Sequence, residues 1–265
     1  MRESQIVAIV NVTPDSFSDG GRHYDASAAI NAIANAIDDG ARVIDIGAES
    51  TRPGAAPVTA EEEWARLEPV LAALPLFAMS PVAFSLDTRH AQTARRGLEA
   101  GVHWINDVSG FADTAMVDTV LGYDCRLVVM HSLGVPADKT VTMPEMEDAV
   151  EALLGFAQAR IAQLQAAGIA KERIVFDPGI GFGKSAMQCW AVLRRIGEFK
   201  RLGVPLLVGH SRKSFLAGHG DRDEATIGVS QYLAQAGVDY LRVHTVKRHA
   251  QMLDIVKELT GGRPD

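Results

Sequence analysis

The chain has two cysteines in 265 residues, Cys125 and Cys189. They form no C-x-x-C pair and no zinc-ligand spacing, which excludes a disulfide framework and a structural zinc site. Both lie in apolar surroundings and read as buried, reduced thiols, in keeping with a cytoplasmic, reducing compartment. Basic charge is in deficit: 26 Lys and Arg face 33 Asp and Glu, for a formal net charge of −7. A bulk nucleic-acid binder is disfavoured, although one small cationic cleft is still allowed. No long hydrophobic run exists. The most apolar stretch, 71–86, is broken by Pro75 and Pro81 and is too short to span a bilayer. Met1-Arg2-Glu3-Ser4-Gln5 carries no signal-peptide pattern, so no membrane partner is expected. Apolar residues make up 47% and charged residues 22%, an ordinary soluble globular composition. A chain this long buries most of its surface without a staple.

Short runs rich in Val and Ile recur at 6–12, 43–47, 82–87, 104–107, 127–131, 174–177, 205–209 and 240–244. Their continuous apolarity predicts strands covered on both faces, as in a parallel sheet. Helical patterns separate them at 26–38, 61–73, 88–100, 147–167, 225–236 and 246–259, with a short helix between 107 and 127 and another at 187–202. Glycine follows several of these patterns, at Gly40, Gly101, Gly168, Gly237 and Gly261, as a C-cap does. Eight strand–helix units with no linker predict one α/β domain over 1–265, a (β/α)8 TIM barrel with its active site at the C-terminal ends of the strands. A doubly wound open sheet is the rival, but no Rossmann glycine pattern follows the first strand.

Nearly every predicted strand ends in a polar side chain. In order these are Asn11, Asp45, Asp87, Asn106-Asp107, His131, Asp177, the run His210-Ser211-Arg212-Lys213, and Arg242 with His244. In a parallel barrel these ends share one face. Asp87, Asn106 and Asp177 offer acceptors and an amide for the edge of a flat heterocycle. Lys213, Arg242 and His244 offer positive charge for phosphate. Two long loops, 13–27 and 49–59, adjoin this face in the manner of lids. Gly179-Ile180-Gly181-Phe182-Gly183-Lys184-Ser185 imitates a P-loop, but the required first glycine is Pro178, so the run reads as a turn that lets backbone approach a ligand. His131, His210 and His244 raise a metal-hydrolase reading, which the lack of a His-x-His on the first strand disfavours.

Asn11-Val12-Thr13-Pro14-Asp15-Ser16-Phe17-Ser18-Asp19-Gly20-Gly21 resembles the first signature of the dihydropteroate synthase family. Asp45-Ile46-Gly47-Ala48-Glu49-Ser50-Thr51-Arg52-Pro53-Gly54 resembles the second. Ile105-Asn106-Asp107, the Asp177–Lys184 glycine run, Ser211-Arg212-Lys213-Ser214 and Arg242-Val243-His244 match further motifs in the family's order, from the first strand to the last. The resemblance implies a TIM barrel that condenses (7,8-dihydropterin-6-yl)methyl diphosphate with 4-aminobenzoate, assisted by Mg²⁺ and assembled as a homodimer. It implies pterin contacts and catalytic roles at Asp87, Asp177 and Lys213, with Asn106 as a further pterin contact. Asn11, Arg242 and His244 match the diphosphate site, with Asn11 as metal ligand. Phe17, Thr51, Arg52, Pro53 and Ser214 resemble the wall of the aminobenzoate pocket. Ser214 is expected near a helix start, where an anion is welcome. The chain departs from the family pattern at Ala48, Ser132, His210 and Thr245, and His210 and Ser132 are expected to reshape the pocket margin. A related methyltransferase with a corrinoid partner and a non-catalytic pterin-binding barrel are the competing readings.

Overall fold

A computed structural model of the chain describes residues 3–12, 22–49, 57–136, 138 and 140–259. The apolar runs become β1 (Gln5–Asn11), β2 (Val43–Gly47), β3 (Ala83–Asp87), β4 (Trp104–Asp107), β5 (Arg126–Met130), β6 (Ile174–Asp177), β7 (Leu207–Val208) and β8 (Tyr240–Val243). All neighbours pair in parallel, in the order β6-β5-β4-β3-β2-β1-β8-β7. A bridge between Phe176 and Leu206 joins the two ends of that order and closes the barrel. The open-sheet rival is thereby overturned. β7 is shorter than expected. Pro205 has no N–H for a ladder, though its carbonyl still accepts from Phe176 N at 2.9 Å.

Around the barrel run α1 (Arg22–Asp38), α2 (Ala60–Leu71), α3 (Ala91–Glu99), α4 (Thr114–Leu121), α5 (Ala149–Ala166), α6 (Ala186–Arg194), α7 (Arg222–Gln235) and α8 (Val246–Leu259). Their starts follow capping chemistry. Thr59 and Ser185 close capping boxes with Glu62 and Gln188, and Asp148 and Asp221 each cap two backbone N–H groups. α3 begins three residues later than the pattern predicts. The Thr88 hydroxyl is committed elsewhere, donating to Glu63 Oε2 at 2.7 Å and accepting from His90 N. The run expected at 187–202 stops being α-helical at Arg194 and continues as a 3₁₀ segment, Ile196–Leu202.

Within the apolar strands a period-two alternation divides two cores. Ile6, Ala8, Val10, Ile44, Ile46, Phe84, Leu86, Ile105, Leu127, Val129, Ile174 and Phe176 join the outer core beneath the helices. Val7, Val43, Trp104, Val128, Val175, Leu207 and Tyr240 pack with one another as a separate layer inside the barrel. The inner layer plugs the amino end. The next inward-facing positions along the same strands form the site.

Candidate active site

One step further along four of these strands, the inner face turns polar. Val43 gives way to Asp45, Trp104 to Asn106, Val175 to Asp177 and Tyr240 to Arg242. The ladder sets Asn11, Gly47, Asp87 and Asn106 level with one another across four neighbouring strands. Gly47 makes this possible: a Cβ there would lie 3.2 Å from the Asp87 Cβ.

Asp45 Oδ2 accepts from Asn106 Nδ2 at 3.0 Å and from Arg242 Nε at 2.6 Å. The same guanidinium donates through Nη2 to Asp87 Oδ2 at 2.6 Å. Arg242 thus bridges two acids, one fully buried and one partly exposed. Burial opposes its charge, and Asp45, Asp87 and Asp177 outweigh that cost. Burial pushes the Asp87 carboxyl up to about 7, against the pull of Arg242 and with repulsion from Asp45, Glu63 and Asp107. Burial also raises Asp177, while Lys213 and the Gly179 N–H, which donates to Asp177 Oδ1 at 2.8 Å, hold it back.

The loop after β6 forms one wall. Gly179 has φ +65°, and a Cβ there would fall 1.9 Å from the His131 carbonyl oxygen, so only glycine fits. Lys213 lays its stem against Gly181, sets its ammonium 4.4 Å from the Phe182 ring centroid and donates to the Ile180 carbonyl. Burial lowers its ammonium to about 8, and Asp177 opposes that. The P-loop imitation is explained by Lys184. Its buried ammonium folds back on the Gly179 and Phe182 carbonyls at 2.9 and 3.0 Å and meets His131 Nδ1 at 3.0 Å. It fastens the turn.

The three strand-end histidines part company. His131 takes Lys184 and packs edge-on against Phe156 at 4.8 Å. His210 is fully buried and bonds Ser230 Oγ at 2.7 Å. His244 takes Ser211 Oγ at 2.8 Å. His210 therefore points into the outer core against α7, which corrects its expected place at the pocket margin. Ser132 is partly exposed and pairs with Gly134 in a local turn. Asp107 also turns outward, accepting from Ser109 N, Ser109 Oγ and Phe111 N. Asn11 stands exposed at the end of β1. Ser214 opens only a three-residue 3₁₀ turn, Ser214–Leu216, and α7 starts later, at Arg222. The helix-start argument for Ser214 therefore fails, because one 3₁₀ turn aligns too few peptide dipoles. Phe17, Thr51, Arg52 and Pro53 lie outside the described residues.

Sequence reasoning placed Asp45 among the strand-end polar residues and Lys184 in the glycine run but gave neither a role, and it passed over Arg89, which grips Glu49 through two 2.9 Å bonds just beyond Asp87. The Asp45 signal was present, as an acid alternating with Val43 and Gly47 on an inward face.

Residues 7–244 match the family described as pterin binding enzyme. The dihydropteroate synthase of Escherichia coli K12 is 36% identical over 258 residues, covering 95% of this chain and 90% of that protein. The chain belongs to the dihydropteroate synthase family. The family member of Anaplasma phagocytophilum, solved with bound 6-hydroxymethylpterin-monophosphate, superposes with a TM-score of 0.90 at 40% identity, covering 97% of this chain and all of that one. The Xanthomonas albilineans dihydropteroate synthase with 4-aminobenzoic acid gives 0.89 at 35% identity, covering 99% of this chain and 94% of that one. Two longer halobacterial relatives carry the name probable bifunctional folylpolyglutamate synthase/dihydropteroate synthase, and the chain spans about a third of their length.

Proposed function

We propose that this chain condenses (7,8-dihydropterin-6-yl)methyl diphosphate with 4-aminobenzoate, releasing 7,8-dihydropteroate and diphosphate. The observation that carries the reading is the polar ring at the carboxyl end, where Asp87, Asn106 and Asp177 face Arg242 and Lys213 across one barrel mouth.

Asp87, Asp177 and Asn106 hold the pterin edge through its N–H groups and acceptors. Lys213, fixed on the glycine loop, meets the ring from that wall. Departure of diphosphate leaves positive charge on the exocyclic methylene, delocalised into the dihydropterin in an SN1-like path. The carboxylates of Asp87 and Asp177 favour that charge. Arg242 and His244 receive the negative charge on the leaving group. The aminobenzoate amine attacks that methylene directly and gives up one proton to the released diphosphate, so the reaction needs no side-chain nucleophile, only an aligned amine and exclusion of water. Phe17, Thr51, Arg52, Pro53 and Ser214 are assigned to the aminobenzoate side on the family resemblance.

The donor set fits Mg²⁺. Asn11 supplies one hard oxygen at the mouth, and among the described residues no cluster of three His, Cys, Asp or Glu gathers to hold a metal unaided. An ion that keeps its waters and takes most of its oxygens from substrate phosphates needs no more protein than that. When bound, it would offset charge on the diphosphate.

Homodimer assembly rests on the family resemblance and on an apolar groove of about 360 Å³ between α6 and α7, lined by Trp190, Leu193, Leu216, Val229 and Tyr232. Among the described residues no helix is long and apolar enough to cross a membrane. Cytoplasmic placement rests on the two free, buried thiols.

The test is diphosphate release from purified protein with Mg²⁺. Release is expected only when the pterin diphosphate and 4-aminobenzoate are both present. Absence of release from folded protein given both substrates refutes the reading.

A further inference from the structure

We propose that Asp45 is the positioning residue of this site: its single oxygen Oδ2 sets the orientation of the Asn106 amide and anchors the Arg242 guanidinium. The proposal rests on the pterin diphosphate reading given above.

Three observations carry it. Asp45 is 1% exposed and stands one inward step deeper than Gly47, which is level with Asp87. It therefore lies beneath Asp87 and Asn106 and acts through its two partners, Asn106 and Arg242. Both bonds converge on one atom, Oδ2, at 3.0 Å from Asn106 and 2.6 Å from Arg242. The other oxygen, Oδ1, is buried with no hydrogen-bond partner among the described residues. A buried carboxylate with an idle oxygen is costly, and the adjacent guanidinium offsets it. Asp45 is thus kept for its charge and for the geometry of one oxygen.

Each bond has a consequence above it. A carboxylate only accepts, so the Asn106 NH₂ must face down to Asp45. The Asn106 carbonyl oxygen is then the atom left for a heterocycle N–H. Arg242 is held at two points, Nε by Asp45 and Nη2 by Asp87. A pterin N–H arriving at Asp87 competes with Nη2 and leaves Nε untouched. Asp45 becomes the pivot that keeps the guanidinium in the cleft while its free end turns to the diphosphate.

Asp45→Asn keeps the size and one accepting oxygen, removes the charge, and can place its NH₂ where Oδ1 takes no hydrogen bond. We expect kcat/KM for the pterin diphosphate to fall at least about tenfold and KM for 4-aminobenzoate to move less than about threefold. Asp87 is faced by Asp45 on β2, Arg242 on β8, Glu63 on α2, Asp107 on β4 and Lys213 after β7. Losing the Asp45 charge lowers the Asp87 carboxyl, so the acid limb of kcat/KM shifts to lower pH, which a merely structural role would not cause. In an Arg242→Lys background, which lacks the Nε anchor, Asp45→Asn adds much less than it does alone. Equal losses for both substrates, an unmoved acid limb, or full additivity overturns the proposal.

If Asp45→Asn does not fold, the ¹⁵N–¹H signal of Arg242 Nε in the wild-type protein decides. It stays protected from exchange when 6-hydroxymethylpterin is added while the Nη signals shift. Loss of Nε protection overturns the pivot. A wild-type protein that releases no diphosphate refutes the functional reading, and the Nε signal still tests the anchor separately.

Discussion

The two ends of the barrel interior are built on the same strands, one inward step apart, and follow opposite rules. At the amino end Val7, Val43, Val128, Val175 and Leu207 close around Trp104, whose ring meets Tyr240 edge-on at 5.0 Å. The cation there, Arg126, sits at the exposed rim, 5.3 Å from the Trp104 ring centroid, and donates to Tyr240 Oη at 2.8 Å. At the carboxyl end Asp45 and Asp177 are buried and Asp87, Arg242 and Lys213 partly so, with acids set against cations. Burial stabilises the first layer and raises the free energy of the second. The fold keeps its stability in one layer and its chemistry in the next, the usual exchange of stability for function moved a few ångströms along the barrel axis.

The largest effect that sharpens this contrast belongs to Trp104→Ala. Removing a buried indole from the plug should cost about 3–5 kcal/mol in urea unfolding. At a temperature well below melting the variant should keep its kcat/KM, and a large activity loss in folded protein would mean the plug also shapes the mouth. Next comes His210, one residue past the inward-facing Gly209 but turned to the outer core. Burial lowers its imidazole to about 4, below the unfolded value near 6.5. As pH falls, the unfolded chain takes up that proton first, so stability present above about pH 6.5 drains away as pH approaches 4. The loss is about 3 kcal/mol. His210→Met should flatten that part of the pH–stability curve and leave activity near neutral pH unchanged. An unaltered slope would show that the imidazole titrates in the fold as it does in the unfolded chain.

Third, Lys213→Met and Asp177→Asn each replace a charge at the mouth with a side chain of similar shape. Each should lower kcat/KM at least tenfold, about 1.4 kcal/mol or more, while the melting temperature holds or rises. A falling melting temperature in both would mean that these charges stabilise the fold, and the contrast between the layers would collapse.

The architecture was legible because eight apolar runs punctuated by glycine leave few alternatives at this length. Five strand-end residues, Asp45, Asp87, Asn106, Asp177 and Arg242, were legible as a polar ring because strand ends in a barrel share one face. Pairing was harder to read. That Arg242 reaches Asp45 and Asp87 depends on register across β8, β1, β2 and β3, which no local pattern encodes. His210 looked like a site residue for lack of a parity argument: Val208 and His210 face outward and Gly209 inward, so one residue changes its whole environment. Lys184 resembled a phosphate ligand because its motif does, and the turn it fastens becomes visible only once Gly179 is seen against the His131 carbonyl. The expectations at Phe17, Thr51, Arg52 and Pro53 fall outside the described residues.

The smallest effect asks how separate the layers are. Tyr240 and Arg242 are successive inward-facing residues of β8. Tyr240→Phe deletes only the hydroxyl that accepts from Arg126, a bond at the solvent rim. The ring, its packing on Trp104 and the strand register should all persist. The expected cost is about 1 kcal/mol in unfolding free energy, that of one hydrogen bond. If the layers are independent, kcat/KM stays within about twofold of wild type, since Arg242 is fixed by Asp45 and Asp87 from above and by its own backbone from below. A larger fall at unchanged fold would mean that strain in the plug passes along β8 to the guanidinium, and the barrel interior would then have to be treated as one coupled stack.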